Sequence, residues 1–67
     1  MKAIKFPSSI EFKFDNESNN FTLNSDDFFN DEKVTSKEYR EYLDEMTELT
    51  EEEKEFVISE LETYEWI

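Results

Sequence analysis

Apolar and polar residues alternate through the first part of the chain. Ile4, Phe6, Ile10, Phe12 and Phe14 fall on even positions, with Lys5, Glu11, Lys13 and Asp15 between or beside them. Successive side chains of a strand point to opposite faces, so this period of two predicts half-buried β-strands over residues 2–6 and 10–14. Pro7-Ser8-Ser9 interrupts the pattern. Proline has no amide hydrogen to give to a ladder, so the interruption is an edge, a bend or a turn. Asn16-Glu17-Ser18-Asn19-Asn20 predicts a polar turn. The chain contains no glycine, and asparagine is the next residue best suited to left-handed backbone geometry. Phe21-Thr22-Leu23 resumes the alternation as a returning strand, which makes residues 10–24 a β-hairpin.

Residues 25–33 predict an acidic loop or a short helical turn carrying Phe28 and Phe29. Adjacent residues of a regular strand cannot face one core, whereas on a helical turn these two would cover a sheet edge or face a partner. Thr35-Ser36-Lys37-Glu38 then reads as a capping box, with Val34 placed to pack on Tyr39 as a hydrophobic staple. Tyr39, Tyr42, Leu43 and Met46 follow at i, i+3, i+4 and i+7, the apolar stripe of an amphipathic helix. Thr50-Glu51-Glu52-Glu53 repeats the capping box, and its glutamates sit where the helix dipole favours negative charge. The second helix would bury Val57, Ile58, Leu61 and Tyr64, with Phe56 and Ile67 on the flank. On an ideal helix Trp66 lies opposite the Val57/Leu61 stripe. The break between the helices rests on the second cap, and one continuous helix from 36 to 66 is the alternative.

These elements predict an α+β fold: an antiparallel β-hairpin or three-stranded sheet packed against two C-terminal helices. The strands fall within about residues 2–24 and the helices within about 35–66, in a single small acidic domain spanning 1–67. A chain of 67 residues buries a modest fraction of its surface and needs a staple, a partner or unusually good packing. Cysteine and histidine are both absent, which removes disulfides and the usual ligands of zinc, copper and iron. Aromatic residues make up 16% of the chain, a large apolar payload that points to a homodimer sharing or extending its core. The N-terminal residues are too short and too alternating for a signal peptide. No apolar run approaches the ~20 residues of a membrane span, so a cytoplasmic location is expected.

Charge changes this picture most. The net charge is −12, and it is uneven: residues 35–67 carry three bases against twelve acids, residues 1–34 four lysines against seven acids. Repulsion of this kind costs folding stability, and solubility alone rarely demands so much of it. Direct binding to nucleic acid or to an anionic membrane is disfavoured, since both are negative. A disordered acidic tail fits poorly, because the acidic half also carries the helical apolar stripes.

Catalysis is not expected. The commonest general base and the best nucleophile are missing, no glycine-rich phosphate loop is present, and so short a chain can hardly form the deep cleft that a carboxylate pair would need. Residues 15–26 loosely follow the twelve-residue EF-hand loop. Asn20 stands where that loop has glycine and Asp26 where it has glutamate, so a hairpin turn is the better reading and neither metal nor cofactor is expected.

The acidic helical faces carry the chemistry. Glu38, Glu41, Glu45 and Glu48 recur every three or four residues away from the apolar stripe, and Glu51, Glu55 and Glu62 share a face of the second helix with Trp66 near its end. Residues i and i+4 are about 6 Å apart along a helix axis, and duplex DNA presents one charge per about 1.7 Å of axis counting both strands. Carboxylates at this pitch imitate a phosphate backbone. A solvated face is the plainer reading, but few lysines at i+4 offset the repulsion. Tyr39, Tyr42 and Tyr64 fall on core positions, whereas Phe28, Phe29 and Trp66 are candidate interface aromatics.

In size, acidity and aromatic content the whole chain resembles the small acidic phage proteins that mimic DNA. These host-takeover proteins include inhibitors of the histone-like protein HU, of RNA polymerase and of uracil-DNA glycosylase, and several anti-CRISPR proteins. The resemblance implies a homodimer whose acidic surface occupies the DNA-binding face of a basic nucleic-acid-binding host protein and blocks it. Charge spacing alone nominates Glu38, Glu41, Glu45, Glu48, Glu51, Glu55 and Glu62 as the phosphate mimics. A shape-specific inhibitor or adaptor of the anti-CRISPR or antitoxin type, and a small structural subunit, are the alternatives.

Overall fold

Pro7 and Ser8 alone link the first two antiparallel strands of this computed structural model, which describes residues 1–28, 35–46 and 48–67. Strand β1 (Lys2–Phe6) pairs with β2 (Ser9–Lys13) in the register Phe6↔Ser9, Lys5↔Ile10, Ile4↔Glu11, Ala3↔Phe12 and Lys2↔Lys13. A two-residue link sets each even position of β1 opposite an odd position of β2, so the even-numbered apolar row does not carry across the turn. Ile4 and Phe6 share a face with Glu11 and Ser9, while Ala3 and Lys5 join Phe12 and Ile10 on the other. Ile10 and Phe12 are fully buried, and Phe6 remains 45% exposed.

Strand β3 (Phe21–Asn24) completes a three-stranded antiparallel sheet of order β1-β2-β3. Its register is Ser9↔Asn24, Ile10↔Leu23, Glu11↔Thr22 and Phe12↔Phe21. Phe12 and Phe14 both stack on Phe21, with ring centroids 5.1 and 6.1 Å apart, within the range of favourable aromatic pairs. The link from β2 to β3 contains one 3₁₀ turn, Glu17–Asn19. Left-handed asparagines expected there are not what closes it: φ is −85° at Asn16 and −61° at Asn20. Their side chains act instead. Asn16 Oδ1 accepts from the Ser18 amide at 3.2 Å, and Asn20 Oδ1 accepts from the Phe14 amide at 2.6 Å. A single helical turn, α1 (Ser25–Phe28), follows β3 and contacts it.

The chain divides into two compact units, Met1–Glu32 and Lys33–Ile67. In the second, α2 (Ser36–Met46) begins at Thr35, whose Oγ1 accepts the Glu38 amide at 3.2 Å. The expected packing of Val34 on Tyr39 lies outside the described residues, as do the Met46 side chain and Phe29. Helix α3 (Glu51–Thr63) is separate from α2, because Thr50 is extended at φ −72°, ψ 164°. The second capping box is complete. Thr50 Oγ1 accepts the Glu53 amide at 3.2 Å, and Glu53 Oε1 accepts the Thr50 amide at 2.9 Å.

Among the described residues, the buried apolar side chains of this unit are Tyr39, Leu43, Leu49, Val57, Leu61 and Trp66. Tyr42, expected in the stripe, is 50% exposed and stacks on Tyr39 at 5.5 Å, while Ile58 and Tyr64 are half-buried. Trp66 departs most from the ideal-helix expectation, being only 6% exposed. The helix stops before reaching it. Glu65 adopts φ 61°; its amide donates to the Glu62 carbonyl at 3.1 Å, and the Trp66 amide donates to the Leu61 carbonyl at 2.9 Å. This pair of bonds is a Schellman cap, which reverses the chain and redirects Trp66.

Candidate functional site

Glu38, Glu41 and Glu45 project from α2 within about 60° of arc at 3.6 residues per turn. All three are exposed, while Tyr39 and Leu43 are buried. The helix forms because its apolar positions recur at i and i+4, and that spacing leaves the glutamates on the far side. Glu48 is exposed but follows the end of α2, so the expected row of four is three on the helix and one in the connection. On α3, Glu51, Glu55 and Glu62 do share an exposed face, within about 40° of arc.

Lys37 is exposed on α2 one turn before Glu41, whereas Arg40 and Lys54 are placed elsewhere. Arg40 pairs with Asp44 one turn along α2, Nε to Oδ1 at 3.4 Å, and its Nη2 reaches Glu51 on α3. Lys54 Nζ lies 2.9 Å from Asp44 Oδ1 and 3.6 Å from Glu51 Oε1. These four side chains bridge α2 to α3 along one flank. The hydrogen bond from Lys54 holds the Asp44 carboxyl below its ordinary range, against the opposing effect of partial burial, and the bond from Arg40 adds to it. The same hydrogen bond holds the Lys54 ammonium above its ordinary range. Lys54 is mostly buried while Asp44 and Glu51 stay largely exposed. That pattern suits a long side chain whose stem covers apolar surface while its head meets carboxylates.

This network separates the nominated residues. Glu51 is engaged by both cations and is a structural tie as much as a surface charge. Glu62 accepts the Ser36 hydroxyl at 3.1 Å. Among the described residues, no ion pair involves Glu38, Glu41, Glu45, Glu48 or Glu55. Glu52 is exposed in the same way and joins them. It lies about 100° around α3 from Glu51, outside the row that i, i+4 spacing picks out. The Arg40–Asp44 pair was visible as an i, i+4 match; its extension to Glu51 and Lys54 depends on how the helices meet.

Of the aromatic candidates, Trp66 is buried, Phe28 is half-buried and Phe29 lies outside the described residues. Tyr42 borders the α2 glutamates and is the more exposed aromatic. Burial, reinforced by the neighbouring Tyr42, raises the Tyr39 phenol above its ordinary range, so it stays neutral at physiological pH. Residues 15–26 span the 3₁₀ turn, β3 and the start of α1. Among the described residues, no group of three or more acidic side chains is arranged to hold a metal ion, and no helix is long and apolar enough to cross a membrane. Comparison of the chain with protein-family models, with curated proteins and with solved structures finds no match.

Proposed function

We propose that this protein is a DNA mimic: a non-enzymatic inhibitor that occupies the nucleic-acid-binding surface of a basic protein, such as the histone-like protein HU of a bacterial host, and blocks its access to DNA. One observation carries the reading. Glu38, Glu41 and Glu45 form an exposed row with no described ion pair, while Arg40 and Lys54 are drawn into the α2–α3 flank. Arg40 and Lys54 join the helices, Lys37 stands exposed one turn before Glu41, and the row with its three glutamates keeps a net negative charge. A partner that grips phosphates with lysine and arginine meets carboxylates at similar spacing, and release of the cations gathered around the acidic row favours association at low salt.

The second reading is a shape-specific protein inhibitor or adaptor, and Tyr42 favours it. A half-exposed aromatic beside the acidic row supplies the kind of anchor that interfaces use.

The test is capture of partners from bacterial lysate with the tagged protein at low and high salt, followed by competition against DNA. A basic DNA-binding protein that is released at high salt and displaced by duplex DNA is the expected result. A partner that is retained at high salt and indifferent to DNA would replace mimicry with the adaptor reading.

A further inference from the structure

We propose that the outer edge of β3, which pairs with no strand among the described residues, pairs with β3 of a second copy, giving a two-fold dimer with a continuous six-stranded sheet. The Ser25 amide donates to the Ser8 carbonyl at 2.8 Å, so Ser8 faces β3. Direction alternates along a strand, so Ile10 and Phe12 also bond towards β3, and their partners Leu23 and Phe21 bond inward. Thr22 therefore presents its amide and carbonyl, and Asn24 its amide, to the outer edge, while the Asn24 carbonyl also accepts the first helical bond of α1; both residues are exposed.

The two edges of this sheet are guarded differently. β1 carries Lys2 and Lys5, the charged residues by which natural sheets discourage edge pairing. β3 reads Phe-Thr-Leu-Asn, with no charge and no proline, in a chain that is 39% charged. Its apolar residues, Phe21 and Leu23, are half-buried and would lose further surface to a neighbour.

Self-pairing also satisfies register. In an antiparallel pair centred on Leu23, Thr22 of each copy lies opposite Asn24 of the other. The Asn24 amide of each copy then donates to the Thr22 carbonyl of the other, and each Thr22 amide meets the second lone pair of the partner's Asn24 carbonyl. The same arrangement lays the Asp26–Asp27 end of one copy beside the Asn20–Phe21 end of the other. Lys13 lines a shallow depression there with Glu11, Asn20, Phe21 and Thr22. That lysine already pairs with Glu11, Nζ to Oε1 at 3.5 Å.

The centre of the pair gives the test. Leu23 would face its own copy in a non-hydrogen-bonded pair, whose Cα atoms are about 4.5 Å apart, within disulfide reach. The chain has no cysteine, so Leu23→Cys introduces one thiol per copy. Under mild oxidation it is expected to form a covalent dimer far faster than Phe6→Cys, an exposed control on β1. In parallel, Thr22→Pro removes an outward amide and leaves the β2–β3 ladder intact. Sedimentation equilibrium across a concentration series is expected to show its dimer dissociation constant raised about tenfold or more. A wild-type protein that stays monomeric at millimolar concentration overturns the proposal. So do equal crosslinking rates for the two cysteine variants, or an unchanged dissociation constant in a folded Thr22→Pro protein.

Discussion

The backbone amide of Trp66 donates to the carbonyl of Leu61 at 2.9 Å, and both side chains are buried. The bond exists because Glu65 takes φ 61°, a conformation that costs a non-glycine residue on the order of 1–2 kcal/mol. Glycine adopts it freely and is the usual occupant of this position in a Schellman cap. Glu65→Gly is therefore expected to stabilise the protein by roughly 1 kcal/mol, helped by the loss of a negative charge at a helix C-terminus. Urea unfolding followed by Trp66 fluorescence measures it. A midpoint that falls would show that the reversed chain end is not held by this cap. Trp66→Ala should act in the opposite direction, costing about 3–5 kcal/mol as a large buried side chain is removed, read by circular dichroism because the variant has no tryptophan.

The Thr50 cap sets where the second helix begins. Thr50→Ala removes the oxygen that accepts the Glu53 amide and is expected to cost about 1 kcal/mol. Thr50→Ser keeps that oxygen and should retain most of the stability. Equal unfolding midpoints for the wild type and both variants would mean that packing alone fixes the helix start.

How far the sequence reveals this fold depends on which interactions are local. Both capping positions, the two C-terminal helices and the strand positions can be read directly, since each rests on residues within four places of one another. The facing of β1 cannot, because parity across the Pro7-Ser8 link depends on turn length, and Pro7-Ser8-Ser9 is equally consistent with two or three linking residues. Trp66 is misplaced by an ideal helix for a related reason: nothing in Glu65 announces a left-handed residue where glycine is absent. The acidic row on α2 is legible from its spacing. Its isolation from Arg40 and Lys54 is not, since Lys54 meets Asp44 from ten residues away in sequence.

The Asp44–Lys54 pair makes a prediction about pH. Asp44 holds its carboxyl below the ordinary range in the folded protein, so the unfolded chain takes up the proton first as pH falls. Its contribution to stability is complete above the unfolded value of about 3.9 and is lost as pH drops through the lower folded value. Lys54 is held above its ordinary range, so its contribution is complete below about 10.4 and is lost as pH rises beyond that. The stability difference between the wild type and Asp44→Asn should be flat from about pH 5 to 9 and shrink below about pH 4. Subtracting the variant removes the general relief of carboxylate repulsion, which both proteins share. A difference that persists undiminished at pH 2.5 would assign the effect of Asp44 to packing, not to its charge.

Reversing charge on the α2 row separates its role in binding from its role in folding. Glu41→Lys with Glu45→Lys alters two exposed side chains with no described ion pair, so no tertiary contact among the described residues is removed. Each new lysine also lowers the repulsion of a chain at net charge −12. Stability should hold or rise by a few tenths of a kcal/mol, read by urea unfolding. Affinity for a basic partner should fall by about one to two orders of magnitude at low salt, and the salt dependence of what remains should become shallower. Titration calorimetry at several ionic strengths measures both. Unchanged affinity in the folded variant would remove this face from the interface. The matching test on Glu51 has the opposite design: Glu51→Gln breaks ties to Arg40 and Lys54, so it should disturb folding before it disturbs binding.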